Sequence, residues 1–416
     1  MKRSRRVIGA YLSAAVLVLA ACGSGDDSSD DDAATNPALT KSEIKLGLIV
    51  SQTGNSSSSD KSGAGSAKAW QQWVNANGGI AGHPVKVVVK DDKGDGATAT
   101  TAAKELLDDP SILSITAQAA NTEQQVAAVL SGKDVPVVGA TGYQTAIWAK
   151  QPNYFPVTSQ AFPATVVSQL ASAKAVGATK FASVYCAEVA ACKEATPLLE
   201  PAAKPQGVQY TGSIAISTSA PNYTAECLKM IDQGADFIQI AVAPSAGKKL
   251  IADCQAQGYN GYFGVTAGAV NADMMSIPNV KMSGGIQGFP WWTDDAPVVT
   301  FRDAMKQYAS DADYENPSAT AVWASLEVVR KSLAAVGDAP TRADLTAGLH
   351  ALKDEDLGGL LAQKVTYIPG QGTPINCLWL YKHEDGKFTS AALPGPSGNS
   401  ISEGTLKSDC LTSPTG

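Results

Sequence analysis

The chain has 416 residues, 44% of them apolar and 17% charged, with a formal net charge of −7 at neutral pH. That composition supplies ample apolar material for packed cores. No run or stripe of lysine and arginine follows the first six residues, which argues against nucleic acid as a partner, and no later apolar run reaches membrane-spanning length.

Residues 1–21 read as a leader. Lys2, Arg3, Arg5 and Arg6 form a basic start, and Val7–Ala21 is a mostly apolar run of 15 residues. That is short of the roughly 17–25 a spanning helix needs and suits a secretory signal peptide ending in small residues. Leu19-Ala20-Ala21-Cys22 resembles the bacterial lipobox, in which the cysteine thiol is lipidated and the cysteine becomes the mature N-terminus. A buried acyl chain contributes about 0.8 kcal/mol per methylene, so more than one chain gives a durable anchor. Residues 22–42 hold five aspartates, many serines and no hydrophobic periodicity, the pattern of a flexible acidic tether. Lys41 and the four basic leader residues balance those aspartates, so the part from Glu43 onward carries the chain's −7.

The 374 residues from Glu43 leave room for two domains. Ile44–Val50 reads as a strand and Ser51–Gly65 as a Gly/Ser-rich loop. Ala67, Trp70, Trp73 and Val74 then fall at helical spacing, and Asn77-Gly78-Gly79 stops that helix. Strand Val85–Val89, helix Ala99–Leu107, strand Ile112–Thr116, helix Thr122–Ser131 and strand Val135–Gly139 follow. A second series runs helix Ala161–Ala175, strand Phe181–Tyr185, a helix to Lys204, strand Val208–Ile216, helix Tyr223–Gln233, strand Phe237–Val242, helix Gly247–Gln257 and strand Gly261–Val265. Two such alternating series predict an α/β chain of two doubly wound parallel-sheet lobes. Beyond them, Ile286–Trp292 reads as a short strand and Ala321–Val336 as a helix with one apolar stripe. Cys377–Thr389 reads as a hairpin turning at Glu384-Asp385-Gly386.

Six cysteines follow Cys22. An even number in an exported chain favours disulfides, and of the 15 pairings that six cysteines allow the local one is expected, Cys186–Cys192, Cys227–Cys254 and Cys377–Cys410. The last closes a loop of about 33 residues, worth about 3–4 kcal/mol in the chain-entropy model. No C-x-x-C occurs and His83, His350 and His383 are scattered, so neither a metal nor any other cofactor is expected. Gly-x-Ser-x-Gly, His-Glu-x-x-His and Gly-x4-Gly-Lys-Ser/Thr are all missing from the sequence, which speaks against an enzyme. The adjacent acids Asp91-Asp92 and Asp294-Asp295 read as solvated turn residues.

WVNANGGIAGHPVKVVVKDDKGD (73–95) resembles the corresponding region of the type I periplasmic solute-binding proteins, the leucine/isoleucine/valine-binding family of ABC importers. IKLGLIVSQTG (44–54), VPVVGATG (135–142), NPSATAVWASLEVVRKSLAAVG (316–337), LGGLLAQKVTYIPGQGTP (357–374) and DGKF (385–388) resemble further segments of that family in the same order. The resemblance spans Glu43–Ala391. It implies two lobes joined by three crossing segments, residues 43–160 plus 290–355 in the first and 161–289 plus 356–416 in the second, closing on a ligand between them.

In open parallel sheets the binding crevice lies beyond the carboxyl ends of the strands where the winding reverses. The resulting candidates are Gln52 after the first strand, Ala120, Asn121 and Thr122 after the third, and Thr141, Gly142 and Tyr143 after the fourth. In the second lobe they are Tyr185, Pro244 and Ala267, and Trp291 comes from what the resemblance places in the third crossing. Amino-acid-binding members use a serine and a threonine in lobe one, and an acid and tyrosines in lobe two. Here the serine position falls on Ala120 or Asn121 and the threonine position near Thr141–Tyr143. YCAEVAAC (185–192) brings no matching tyrosine, and VTAGAV (265–270) stands where the acid would follow its strand. An unpaired buried ammonium is costly, so these departures favour an amide, an aromatic acid or a neutral compound over an α-amino acid. Glu188 is either a substitute anchor or a solvated loop residue.

The expectation is a monomeric, non-enzymatic receptor, extracytoplasmic and lipid-anchored to the bacterial cell membrane, that hands a small solute to an ABC permease. A ligand sensor serving a signalling partner is the alternative, with a secreted enzyme behind it.

Overall fold

The computed structural model of the chain describes residues 39–391 and 408–410, except 55, 119, 140–141, 143, 149, 159–161, 189–192, 194–195, 243, 266–269 and 271. Among these, the leading strand shows how the first lobe is built. In β1 (Ile44–Val50) both faces are apolar. Leu46, Leu48 and Val50 pack with Ala67, Trp70 and Val74 of α1 (Ser62–Ala76), whereas Ile49 meets Ala99, Ala103 and Leu106 of α2 (Gly96–Asp108). Period-two alternation with apolar residues on both sides is the signature of a buried parallel strand. A side chain at Gly47 would start 3.0 Å from Leu106 Cδ1, so glycine lets α2 lie close to the sheet.

The first sheet has the order β2-β1-β3-β4-β5, with β2 at Val85–Asp91, β3 at Ile112–Gln118, β4 at Val137–Val138 and β5 at Tyr154–Phe155. Every pairing in it is parallel. The helix α3 (Glu123–Leu130) shares the face of α2.

The second sheet repeats the plan. β6 (Lys180–Cys186) lies between β7 (Gln209–Ile216) and β8 (Phe237–Ala241), and β9 (Tyr262–Val265) and β10 (Met282–Ile286) continue in parallel. Phe181 and Phe237 stack at 5.4 Å and face Val167 and Leu170 of α4 (Phe162–Ala175) and Leu199 of α5 (Thr196–Gln206). Val184 and Ile240 face Met230 of α6 (Thr224–Asp232) and Leu250 of α7 (Pro244–Ala256). The hairpin β11 (Cys377–Glu384) and β12 (Lys387–Ala391) adds antiparallel to β10, and β13 (Asp409–Cys410) pairs with the start of β11. Its turn residues Asp385 and Gly386 both have positive φ, 52° and 73°, as a two-residue hairpin turn requires.

The chain passes between the sheets three times, after β5, after β10 and before β11. After the second passage, α8 (Ala296–Tyr308), α9 (Pro317–Ser332) and α10 (Arg342–Ala351) return to the first lobe. Asn316 caps α9 by accepting from Ser318 N, and Pro317 opens it. Residues 354–367 stay with these helices: Asp354 N donates to Thr366, Glu355 pairs with Val365, and the Lys331 ammonium lies 3.4 Å from Glu355.

Several expected elements shift. The strand expected at Ile286–Trp292 ends at Ile286, because Gly288 takes φ +103° and Pro290 follows. Phe289, Trp291 and Trp292 therefore occupy the second crossing rather than the third. The loop expected over Ser51–Gly65 contains the one-turn helix Ser57–Asp60 and the start of α1, and β4 shrinks to two residues. Disulfides join Cys227 to Cys254 and Cys377 to Cys410. Cys186 is also disulfide-bonded, and Cys192 lies outside the described residues. Among the described residues, no helix is long and apolar enough to cross a membrane.

Candidate functional site

Winding reverses between β1 and β3 in the first sheet and between β6 and β8 in the second. A crevice forms beyond the carboxyl ends of strands at such points. In the first lobe the loops around it are tied by three carboxylates. Asp92, fully buried, accepts from Ser51 Oγ at 2.6 Å, Thr122 Oγ1 at 2.6 Å and Gly94 N at 3.0 Å. It thereby joins the ends of β1, β2 and β3. Asp91 accepts from Gln52 N, Thr53 N, Thr53 Oγ1 and Lys93 N. Burial pushes its carboxyl up, but the Thr53 hydroxyl and these N–H groups together hold it below the ordinary range. Glu123, at the start of α3, accepts from Gln144 N and from the Trp148 indole, securing the loop after β4.

Within this cluster, Gln52 is exposed and bonded through its backbone to Asp91. Asn121 donates to Ser56 Oγ at 2.5 Å, and Thr122 is buried on Asp92. Ala120 belongs to the single 3-10 turn Ala120–Thr122. Gly142 is buried against Trp148, whose Nε1 lies 1.9 Å from where a Cβ would stand. Thr141, Tyr143 and Ala267 lie outside the described residues.

In the second lobe, Tyr185 is half-buried within β6, and Pro244 is the first residue of α7. Glu188 is exposed, and its Oε1 accepts from Ser217 Oγ at 2.7 Å and Thr218 N at 2.8 Å. The Ser217 hydroxyl, then the N–H groups of Glu188 and Thr218, hold its carboxyl below the ordinary range. These bonds draw Glu188 toward the β7 loop, on the side of β6 away from the reversal. Trp291 is 2% exposed and packs edge-on against Trp292 and Phe388 at 5.0 Å each. Its ring stitches the second crossing to the β11–β12 hairpin.

Asp92, Glu123 and Asp60 were not among the sequence candidates, and the solvated reading of Asp92 is overturned by its burial. Asp60 ends the helix after β1, is 6% exposed, and its Oδ1 accepts from Gln118 Nε2 at 3.2 Å. Burial, ahead of the opposing Gln118 bond and the reinforcing charge of Asp92, pushes its carboxyl up to about 7.

A separate groove of about 560 Å³ lies at the amino ends of the strands, lined by Glu43, Ser111, Leu113 and Arg342. Arg342 donates there to the carbonyls of Leu107, Asp109 and Ile112 and to Asp134. It opens at the end of the strands opposite to the carboxyl edge where the crevice of a parallel sheet forms. Among the described residues no group of three or more His, Cys, Asp or Glu is placed to hold a metal ion.

A family model for periplasmic binding proteins matches residues 43–387. The chain belongs to the periplasmic binding protein family. Solved structures share its fold at low identity. A fatty acid ABC transporter substrate-binding protein from Thermomonospora curvata has a TM-score of 0.68 at 16% identity, covering 88% of this chain and 96% of its own. An ABC transporter substrate-binding protein from Desulfitobacterium hafniense in complex with Leu has 0.66 at 17% identity, covering 84% and 99%. A leucine-binding protein from Thermotoga maritima has 0.64 at 13% identity, covering 85% and 99%. No curated protein matches the sequence. A periplasmic binding protein is a ligand receptor built from two such lobes, and the fold of this chain is of type I.

Proposed function

We propose that this periplasmic binding protein is the lipid-anchored receptor of an ABC importer, closing its lobes on a small ligand held between the two reversal points. Cleavage before Cys22 would leave an acylated cysteine, and residues 22–42 would carry the folded part at a distance from the membrane. The observation that carries the ligand reading is how the acids that follow the strand ends are used, three of them at the first-lobe crevice and Glu188 beside it in the second lobe. Asp91, Asp92, Glu123 and Glu188 each fasten loops, so none of them is a free counter-charge for an α-ammonium. An amide, an aromatic acid or another compound without an amine fits this wall better. The fatty acid named for the Thermomonospora curvata protein is of that kind, and the leucine bound by the Desulfitobacterium hafniense protein is the competing class.

Thermal unfolding of the purified protein against amino acids, amides, aromatic acids and fatty acids tests this. A ligand at 1,000 times its Kd adds about 4.1 kcal/mol to stability, a clear rise in Tm. Shifts confined to amine-free compounds support the reading, and a shift with leucine alone refutes it. Separately, Cys22→Ser should move the protein from the membrane fraction to the aqueous fraction; persistent membrane association would overturn the lipid anchor.

A further inference from the structure

We propose that Asp60 is the proton-carrying group of the ligand site, meeting the ligand as a neutral carboxylic acid that donates a hydrogen bond to a ligand acceptor oxygen, so that capture is proton-linked. The inference rests on the receptor reading above. It starts from position. Asp60 ends the helix Ser57–Asp60, the first helix after β1, and Gln118, its hydrogen-bond partner, is the last residue of β3. The two strands flank the reversal point of the first lobe. The Asp60 backbone is fixed as well, since its carbonyl accepts from Ser318 Oγ of α9 at 2.8 Å.

The surroundings of the carboxyl favour the neutral form. Its side chain is almost wholly removed from water. Asp92, from the end of β2, is the charged group that acts on it, and Asp92 already takes three donors in the manner of a carboxylate. Two negative charges sharing a buried site are unfavourable, so one acid keeps its proton. Gln118 and Ser318, the contacts from β3 and α9, are uncharged. Lys61, next in sequence, is exposed and forms no ion pair among the described residues. Oδ1 is used by Gln118, and Oδ2 has no hydrogen-bond partner among the described residues. A protonated carboxyl is a donor as well as an acceptor, and no acceptor among the described residues receives its hydroxyl, whose oxygen is not one of the fully buried unpartnered atoms. A ligand carboxylate or carbonyl supplies that acceptor. The environment thus divides two neighbouring acids into a structural carboxylate and a recognition acid.

Two measurements on the purified protein decide it. The first follows the Asp60 carboxyl by NMR in aspartate-labelled protein, with Asp60→Asn identifying the resonance. A titration midpoint near 7 is expected, and a midpoint near 4, the value of a free aspartate, overturns the proposal whether or not a ligand is known. The second measures binding of 4-methylpentanoate, 4-methylpentanamide and L-leucine by calorimetry between pH 5.5 and 8.5. Affinity for the two amine-free probes should fall above pH 7, approaching about tenfold per pH unit, and Asp60→Asn should abolish that dependence. Equal pH dependence in the variant overturns the proposal. So does affinity for leucine that rises with pH, which would make Asp60 an acceptor for its ammonium. Silence of these three probes and of the whole panel of amino acids, amides, aromatic acids and fatty acids, beside a midpoint near 7, leaves the neutral acid standing and overturns the receptor reading, and the ligand contact with it.

Discussion

Asp92 illustrates how a single side chain can decide the shape of a binding edge. Its three donors come from three different loops, Ser51, Gly94 and Thr122. Asp92→Ala would take this acceptor from the buried hydroxyls of Ser51 and Thr122 and from the half-buried N–H of Gly94. Each unsatisfied donor of this kind costs roughly 1–3 kcal/mol, so urea unfolding should show a loss of about 3 kcal/mol or more, with Asp92→Asn losing less. Asp60 predicts a pH effect of defined sign. In the unfolded chain it ionises near 4 and in the fold at about 7. Between those values the native state keeps a proton that the unfolded chain releases. The fold is therefore penalised progressively as pH rises from 4 to 7, and by a constant amount above that. Asp60→Asn should remove the penalty, so the variant should gain on the parent protein between pH 5 and pH 8 in unfolding experiments. A constant stability difference across that range would contradict it.

At the scale of elements, α9 holds the first lobe together across α1. Trp70 Nε1 donates to Glu327 Oε1 at 2.7 Å, Arg330 pairs with Glu327 Oε2 at 2.6 Å, and the rings of Trp73 and Trp323 meet at 5.4 Å. Glu327→Ala removes the acceptor of a buried indole and uncouples a half-exposed arginine. A loss of about 2 kcal/mol is expected, with Glu327→Gln keeping the indole bond and most of the stability in urea titrations. The stripe of α9, the alternation of β1 and β6 and the Asp-Gly turn were all legible in the sequence, because each repeats a period that its own residues display. β10 was not. Its MSGGI carries two glycines, and they are there because the neighbours press close: a Cβ at Gly284 would stand 2.9 Å from Tyr381, and one at Gly285 2.6 Å from Leu378. The aromatic run after it looks more strand-like and is a crossing segment. The candidate site was legible to the same degree. Strand ends located its loops, but Asp92 reads as an ordinary turn acid until hydroxyls 41 and 30 residues away in sequence close on it.

At the scale of the whole molecule, the motion attributed to this protein must pass through its three crossings, and the third is braced from outside. It enters the second sheet at Cys377, which is disulfide-bonded to Cys410, and β13 pairs there through Cys377 with Cys410 and Leu378 with Asp409. Two residues earlier in that tail, Ser408 Oγ donates to the carbonyl of Ala362, back along the crossing. Gln363 adds an internal tie to Asn376 N and the Pro374 carbonyl. The tail therefore links both ends of residues 362–377. Changing Cys377 and Cys410 together to serine should cost about 3–4 kcal/mol for a loop spanning 33 residues. It should also speed amide hydrogen exchange across residues 362–376. The Cys227–Cys254 bond, between α6 and α7, is the control, since its removal should lower stability and leave exchange in the crossing unchanged. Equal exchange across 362–376 in both variants would mean that the C-terminal disulfide stabilises the second lobe without bracing the crossing.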